Sequence, residues 1–335
     1  MATANPSLLR DLINVLGREI HYTVIQHRNA TTTAELSGIA EVTAADTIYA
    51  IDKVCEAALF KWFESNWPEA YPIQVVMEGC ENTGPIFYPK SSTEDSAQYK
   101  IIIDPIDGTR NLMYDKRSAW ILIGIAPNKG KSTSLRDIEV ASMTELPTTR
   151  QSSWDQLSAI RGKGVMAYRF DGDTHHSRQV HFEPTTATDC RHKFATIVRF
   201  FPEALTLLAE TEEQLWKTLY PDYTDGSPLV FNDHYITTGG QLYELLTGKD
   251  CFIADIRPLA FKKLNLNSSL ACHPYDLASL LIAEEAGIIV EDPDGNPLDA
   301  PLDTTTPVSW IAYANPALRD HIKPALTIAI QKTLK

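Results

Sequence analysis

Cysteine is scarce and scattered in this chain: five residues in 335, Cys55, Cys80, Cys190, Cys251 and Cys272, with no C-x-x-C pair. That spacing speaks against a disulfide framework or a structural zinc site and fits a reducing compartment. Long apolar runs are missing too, and the N-terminal M-A-T-A-N-P-S has no basic segment followed by an apolar one. A cytoplasmic chain with no membrane partner is expected. Cations are outnumbered, 30 Lys and Arg against 43 Asp and Glu, for a formal net charge of -13. Such a balance excludes nucleic acid or an anionic membrane as a general partner. An acidic protein that handles an anionic substrate needs local cations to mask its own field, which points to metal. Internal repeats and low-complexity segments are also missing.

What is present is 44% hydrophobic residues, enough for a large core in two sub-domains or one layered unit. The chain is organised around Tyr99 to Pro127. There a strand-like run, Ile101 to Ile103, empties into Asp104-Pro105-Ile106-Asp107-Gly108-Thr109. A short continuous apolar run bounded by turn residues predicts a strand buried on both faces, ended by Pro105 and Gly108. Asp104 and Asp107, three apart on a turn, can converge on one point, where Gly108 admits close backbone approach and Thr109 adds a hydroxyl. Carboxylate and backbone oxygens are the ligands of hard divalent cations, and a helical turn opening at Thr109 would offer N–H groups to phosphate. An acidic turn serving conformation alone is the competing reading.

The remaining chain reads as mixed helix and strand. Helical spacing runs from Ser7 to about His27 and from Ala45 to Trp67. A strand is expected at Ile73 to Met77, a polar loop over Asn82 to Gln98, and strands at Ala119 to Ala126, Ile138 to Leu146, Met166 to Phe170 and Gln179 to Phe182. Glu203 to Tyr220 is helical, Gly239-Gly240 introduces a helix over Gln241 to Leu246, and Cys251 to Ile256 is a strand. Arg257 to Pro274 reads as irregular, Tyr275 to Ala286 as a helix, and Pro316 to Lys332 as a closing helix. Asp292-Pro293-Asp294-Gly295-Asn296 superficially resembles a calcium loop, but Pro297 stands where such a loop needs Gly, so a plain turn is expected. The adjacent His175 and His176 are read as a solvated turn.

Three further acids sit where a strand ends or a helix begins: Glu78 after Ile73 to Met77, Asp276 at the start of Tyr275 to Ala286, and Asp46 after Val42-Thr43. Asp46 and Asp276 could equally be helix caps. In order along the chain, however, these segments resemble the inositol monophosphatase family of magnesium-dependent, lithium-sensitive phosphatases. D-P-I-D-G-T at Asp104 to Thr109 is similar to its central motif. Tyr275-Asp276 running to Glu285-Ala286-Gly287 is similar to its second, an aromatic-Asp pair followed by a helix into E-A-G. Val42-Thr43-Ala44-Ala45-Asp46 resembles its V-T-x-x-D segment, Arg161-Gly162-Lys163-Gly164 its R-G-x-G turn, and Asn315-Pro316 its late N-P. Met77-Glu78-Gly79 stands where G-E-E is usual, making Glu78 the expected ligand and Glu81 the fallback. Tyr275 stands where Trp is usual, and Asp255 to Asp276 is longer than in typical members.

The resemblance implies an α+β fold, a layered αβαβα sandwich, with an N-terminal half over 1–185 and a C-terminal half over 186–335, often paired as a homodimer. It implies two or three Mg²⁺ per site: one held by Glu78, Asp104 and the Ile106 carbonyl, a second by Asp104, Asp107 and Asp276. Thr109, hydrogen-bonded to Asp46, would orient a nucleophilic water near Glu78, and the N–H groups of Gly108 and Thr109 would hold phosphate. Gly240, Gln241 and Asp255 fall in the substrate-contacting region. The expected activity is hydrolysis of a small polyol or sugar phosphate. A nucleotide 3'-phosphatase or fructose bisphosphatase of the same superfamily is the alternative, although D-G-T-R-N fits the usual motif of neither. A non-catalytic metal- or phosphate-binding relative is the alternative of another class.

Overall fold

The computed structural model describes residues 4–36, 38–42, 47–80, 83–172, 176–222, 229–266 and 271–335. Helix α1 (Pro6–Ala30) starts where Asn5 accepts a hydrogen bond from the Ser7 amide and Pro6 presets the first turn. Its stripe of Leu9, Ile13, Leu16, Ile20 and Val24 is buried. A single turn, α2 (Thr33–Leu36), leads to an antiparallel hairpin of β1 (Ile39–Val42) and β2 (Thr47–Tyr49), and then to α3 (Ala50–Asn66). The sequence places the start of this helix at Ala45. It begins later because the strand-favouring Thr-Ile-Tyr segment pairs with β1 instead. Asp52 is the acid of its first turn and accepts from the Tyr49 amide at 2.7 Å.

The large sheet follows: β3 (Ile73–Met77), β4 (Ile86–Tyr88), β5 (Tyr99–Asp107), the short helix α4 (Thr109–Met113), then β6 (Ala119–Pro127), β7 (Val140–Leu146), β8 (Ser153–Ile160), β9 (Val165–Asp171) and β10 (Ser177–Val180). Its strand order is β10-β9-β8-β7-β6-β5-β3-β4, antiparallel except for β3 beside β5. β4 lies inside the stretch expected to be a polar loop. β8 has no counterpart in the sequence reading. Its buried Asp155, Gln156 and Ser158 obscure the apolar pattern, and each is satisfied: Asp155 by Arg169 and Tyr243, Gln156 by Thr144 and the Asn14 carbonyl, Ser158 by Asn14.

The second sheet contains β11 (Phe194–Ile197), β12 (Asp250–Asp255), β13 (Ile289–Glu291) and β14 (Trp310–Tyr313), in the order β11-β12-β14-β13. Its helices are α5 (Leu205–Leu219), α6 (Thr238–Leu246), α7 (Arg257–Lys263), α8 (Leu280–Glu285) and α9 (Pro316–Thr333). Helix α7 occupies part of the segment read as irregular. The helix expected over Tyr275 to Ala286 is split into a 3₁₀ turn, Pro274–Leu277, and α8. Helices α1 and α3 cover one face of the large sheet, α6 and α8 lie between the sheets, and α5 and α9 pack outside the second sheet. This is the αβαβα sandwich. The three consecutive isoleucines of β5 divide between its two cores, Ile101 and Ile103 under α1 and α3, Ile102 in the interlayer.

Several resembling segments turn out to fasten the layers together. Glu285 accepts from the Gly162 and Gly164 amides at 2.7 and 2.8 Å, tying the R-G-K-G turn to the end of α8. Asn315 caps α9 through Leu318 and donates to the Thr185 and Ala187 carbonyls. Asp292 accepts from the Asp294 and Asn296 amides, closing the plain turn expected there. His175 lies outside the described residues.

Candidate active site

Strand β5 does not stop at Pro105. Pairing with β6 matches Asp104 to Leu122 and Asp107 to Trp120, so three steps on β5 face two on β6. The extra residue is a β-bulge, a place where Pro, with no N–H to give the ladder, is tolerated. Its effect is on direction. Residues three apart on a regular strand point to opposite faces; the bulge brings Asp104 and Asp107 to the same side. Gly108 then adopts φ +92°, the left-handed region that favours glycine, and caps α4. A Cβ there would lie 3.0 Å from the Thr237 Cβ.

Asp276 arrives from the other half of the chain. The 3₁₀ turn that carries it packs against β5 and β6, where Gly124 makes room: a Cβ at Gly124 would stand 2.5 Å from the Ala278 carbonyl oxygen. Asp276 accepts from the His273 amide at 2.6 Å. Asp104, Asp107 and Asp276 each offer a carboxylate oxygen within 4.8 Å of the others.

These carboxylates are held differently. Asp104 and Asp107 are buried. Asp107 accepts from the Thr237 hydroxyl and the Gly239 amide, both at 2.5 Å, and from the Thr238 amide at 3.2 Å. It therefore sits on the N-terminus of α6, where dipole and amides favour an anion. Desolvation nevertheless dominates and lifts its carboxyl to about 6. Asp104 accepts from the Ile106 amide at 3.0 Å and hydrogen-bonds Glu78. Burial, followed by repulsion from Asp107 and Asp276, pushes its carboxyl well above the usual range. Crowded buried carboxylates of this kind fit a hard divalent cation, whose charge removes their repulsion.

The surrounding cleft is lined by Tyr49, Glu78, Ile106, Gly108, Thr109, Arg110, Phe200, Phe201, Ile236, Thr237, Thr238, Arg257, Ala271 and Tyr275 besides the three aspartates. The Thr109 hydroxyl lies 2.9 Å from the Ile106 carbonyl and 3.2 Å from Asp52 Oδ1. The carboxylate seen beside Thr109 is thus that of Asp52; Asp46, to which the sequence reading gave that place, lies outside the described residues, as does Glu81. Asp52 was not singled out in the sequence, where it reads as an ordinary first-turn acid of α3.

Gly240, Gln241 and Asp255 are absent among the described residues that line the cleft. The Gly240 and Gln241 amides bond Thr237 within α6, and the Gln241 side chain donates to the Tyr235 carbonyl at 2.8 Å. The helix starts at Thr238, so Thr238 and Gly239, rather than the residues after them, present its first amides, and they present them to Asp107. Asp255 is buried and engages Arg257, accepting from Nε at 2.8 Å and from a terminal nitrogen at 2.5 Å. Arg257, Phe200 and Phe201 were not singled out in the sequence, where no local motif marks them. Arg110 lies over the Tyr49 ring, 5.5 Å from its centroid.

No protein-family model and no curated protein matches this sequence. Solved structures do. The extragenic suppressor protein SuhB of Bartonella henselae has a TM-score of 0.63 at 17% identity, over 95% of this chain and 98% of that one. The inositol monophosphatase of Anabaena (Nostoc) sp. PCC 7120 has a TM-score of 0.61 at 14% identity, over 98% of each chain. The staphylococcal protein IMPase-II, solved with inositol monophosphate bound, has a TM-score of 0.59 at 17% identity, over 97% of this chain and 96% of that one. The chain therefore has the inositol monophosphatase fold.

Proposed function

We propose that this protein is a Mg²⁺-dependent phosphomonoesterase acting on a small polyol or sugar phosphate. The observation that carries the reading is the carboxylate cluster at the β5 bulge, which lines one cleft together with Thr109 and the first turn of α4. Asp104, Asp107 and Asp276, with Glu78 and the Ile106 carbonyl, would hold the metal. When bound, the metal supplies charge neutralisation and a more acidic water. The chain's own residues do the rest. Thr109, between Asp52 and the Ile106 carbonyl, orients the attacking water and passes its proton toward a carboxylate. The amides of Gly108 and Thr109 receive the phosphate oxygens. Asp107, anchored on α6, links the position of that helix to the cluster.

A small phosphorylated metabolite is the partner, consistent with the inositol monophosphate named for the staphylococcal neighbour. No described helix is long and apolar enough to cross a membrane. The experiment is phosphate release from sugar, inositol and nucleotide monophosphates with and without Mg²⁺, with Li⁺ as inhibitor. Mg²⁺-dependent release, inhibited by Li⁺, is expected; release unaffected by chelation would overturn the reading.

A further inference from the structure

Away from the catalytic cleft, a second open cavity of about 380 Å³ lies where β6, β7, β8 and β9 meet α6. Among the described residues lining it are five cations, Lys116, Arg117, Arg150, Arg169 and Lys249, and three carboxylates, Glu145, Asp155 and Glu244. In a chain with a net charge of -13, this local excess of positive charge runs against the whole.

Each of the three carboxylates already has its partners. Asp155 accepts from Arg169 at 2.8 and 2.7 Å and from the Tyr243 hydroxyl at 2.6 Å. Glu145 accepts from the Ser118 hydroxyl, the Gln151 side chain and the Asp155 amide. Glu244 pairs with Arg117 at 3.2 Å and with Lys249 at 3.0 Å. Arg117 is further committed to Asp233. The surplus is Lys116 and Arg150. Among the described residues neither makes an ion pair, and the Arg150 guanidinium has one long hydrogen bond, 3.3 Å, to the Asp115 carbonyl. With its acids neutralised and two cations left over, the cavity suits an anion, which would gain charge-assisted hydrogen bonds from both.

The floor of this cavity touches the turn that grips Asp107. Trp120 and Tyr235 both line it, and the Trp120 indole donates to the Tyr235 hydroxyl at 3.2 Å. A Cβ at Gly239 would stand 3.2 Å from the Trp120 Cβ and 3.0 Å from Asp107 Oδ2, and one at Gly240 would meet the Tyr235 ring. Packing this close passes a displacement on.

We propose that the cavity is a second binding site, for a small anion of two or more negative charges: a phosphate ester or a polycarboxylate. Such a ligand pairs with Lys116 and Arg150 and leaves the internal ion pairs in place. Through Trp120, Tyr235 and the first turn of α6, its presence bears on Asp107. Binding is independent of the phosphatase reading above; only the effect on turnover rests on it.

The test is calorimetry on protein stripped of metal and freed of chelator, with pyrophosphate and citrate as probes for the two chemistries. Without metal, the cluster of Asp104, Asp107 and Asp276 repels anions from the catalytic cleft, so saturable binding reports the cavity. The double variant Lys116→Gln plus Arg150→Gln alters two exposed side chains and should weaken binding at least about 10-fold. Arg110→Gln, on the catalytic cleft, should leave it unchanged. The probe that binds more tightly assigns the chemistry. In turnover of inositol 1-phosphate at constant free Mg²⁺, that probe should change kcat in the native protein and not in the double variant. No saturable binding of either probe would overturn the proposal, as would binding lost in Arg110→Gln and kept in the double variant. An anion that binds the cavity yet leaves kcat unchanged would overturn the link to Asp107. If no phosphate is released at all, the phosphatase reading fails, and calorimetry decides the site.

Discussion

The two walls of the cleft are built in opposite ways. On the carboxylate wall, Asp104 and Asp107 come from one strand, and backbone register sets their direction: a bulge, a left-handed glycine, and amides that grip both side chains. On the rest of the lining, Phe200, Phe201, Ile236, Arg257 and Ala271 come from segments well separated in the chain, and side-chain identity sets their character. A wall fixed by register tolerates little change. A wall made of side chains at element ends can be rewritten without disturbing the fold. Chemistry is expected to reside in the first and selectivity in the second.

The sharpest break in this comparison is Asp104→Asn. On the proposed reading it removes a ligand central to the cluster, and kcat/KM should fall on the order of 10³-fold. The same substitution should raise the melting temperature of the metal-free protein, because Asp104 is destabilised by burial and by its acidic neighbours. Activity and stability moving in opposite directions would mark a site that folding tolerates for function. Both falling together would make Asp104 a structural residue.

A second effect follows from Asp107, whose carboxyl is raised to about 6 by burial. Between its ordinary value and about 6, the native state keeps a proton that the unfolded state has shed. The contribution of Asp107 to the stability of the metal-free protein should therefore be fully present below about pH 4 and be lost as pH rises through about 6, a change of roughly 3 kcal/mol for this group. Denaturant unfolding in chelator across this range measures it. Saturating Mg²⁺ should flatten the decline; a decline unchanged by Mg²⁺ would detach Asp107 from the metal.

Smaller again is the change expected at Asp52, which is not among the described residues lining the cleft but bonds two that are, Thr109 and Tyr49. Asp52→Asn should lower kcat about 10- to 100-fold, the range typical of a residue that orients another. Its pH–rate profile should shift as well, which a purely structural role would not produce. Asp46→Asn should have a distinctly smaller effect, and the reverse ranking would return Thr109's partner to Asp46.

These residues also show why one wall was legible in the sequence and the other was not. Asp104, Asp107, Gly108 and Thr109 are local, so their spacing carried the geometry, and Asp276 followed from its own motif. The strand Ile73 to Met77 and the helix α1 stripe were legible for the same reason: a period of two or of 3.6 is a local property. The bulge was not, because D-P-I-D-G reads equally as a turn, and only pairing with β6 distinguishes them. Strand β8 was hidden by buried polar residues whose partners lie on α1, α6, β7 and β9. Asp255 was legible as an acid near the substrate region, but its commitment to Arg257 depends on a side chain two residues away. Phe200 and Phe201 carry no signature at all, since an aromatic pair reads as core until a cleft is seen beside it.

The mildest test works at the seam between the walls. The Thr237 hydroxyl donates to Asp107 at 2.5 Å and accepts from the Gly240 amide at 3.0 Å, so it steadies a cluster carboxylate and caps α6 at once. Thr237→Val keeps the shape and removes both bonds, at a cost of about 1–2 kcal/mol in stability. The Asp107 carboxyl, which this hydroxyl helps hold down, should rise further, and Mg²⁺ affinity at neutral pH should weaken because more of the carboxyl is protonated. Raising the pH by one unit should recover part of that affinity, a response a simple packing defect would lack. Phe201→Ala, on the other wall, should leave the pH dependence of Mg²⁺ binding as it is. If Thr237→Val and Phe201→Ala shifted that dependence alike, the two walls would be one coupled unit rather than two.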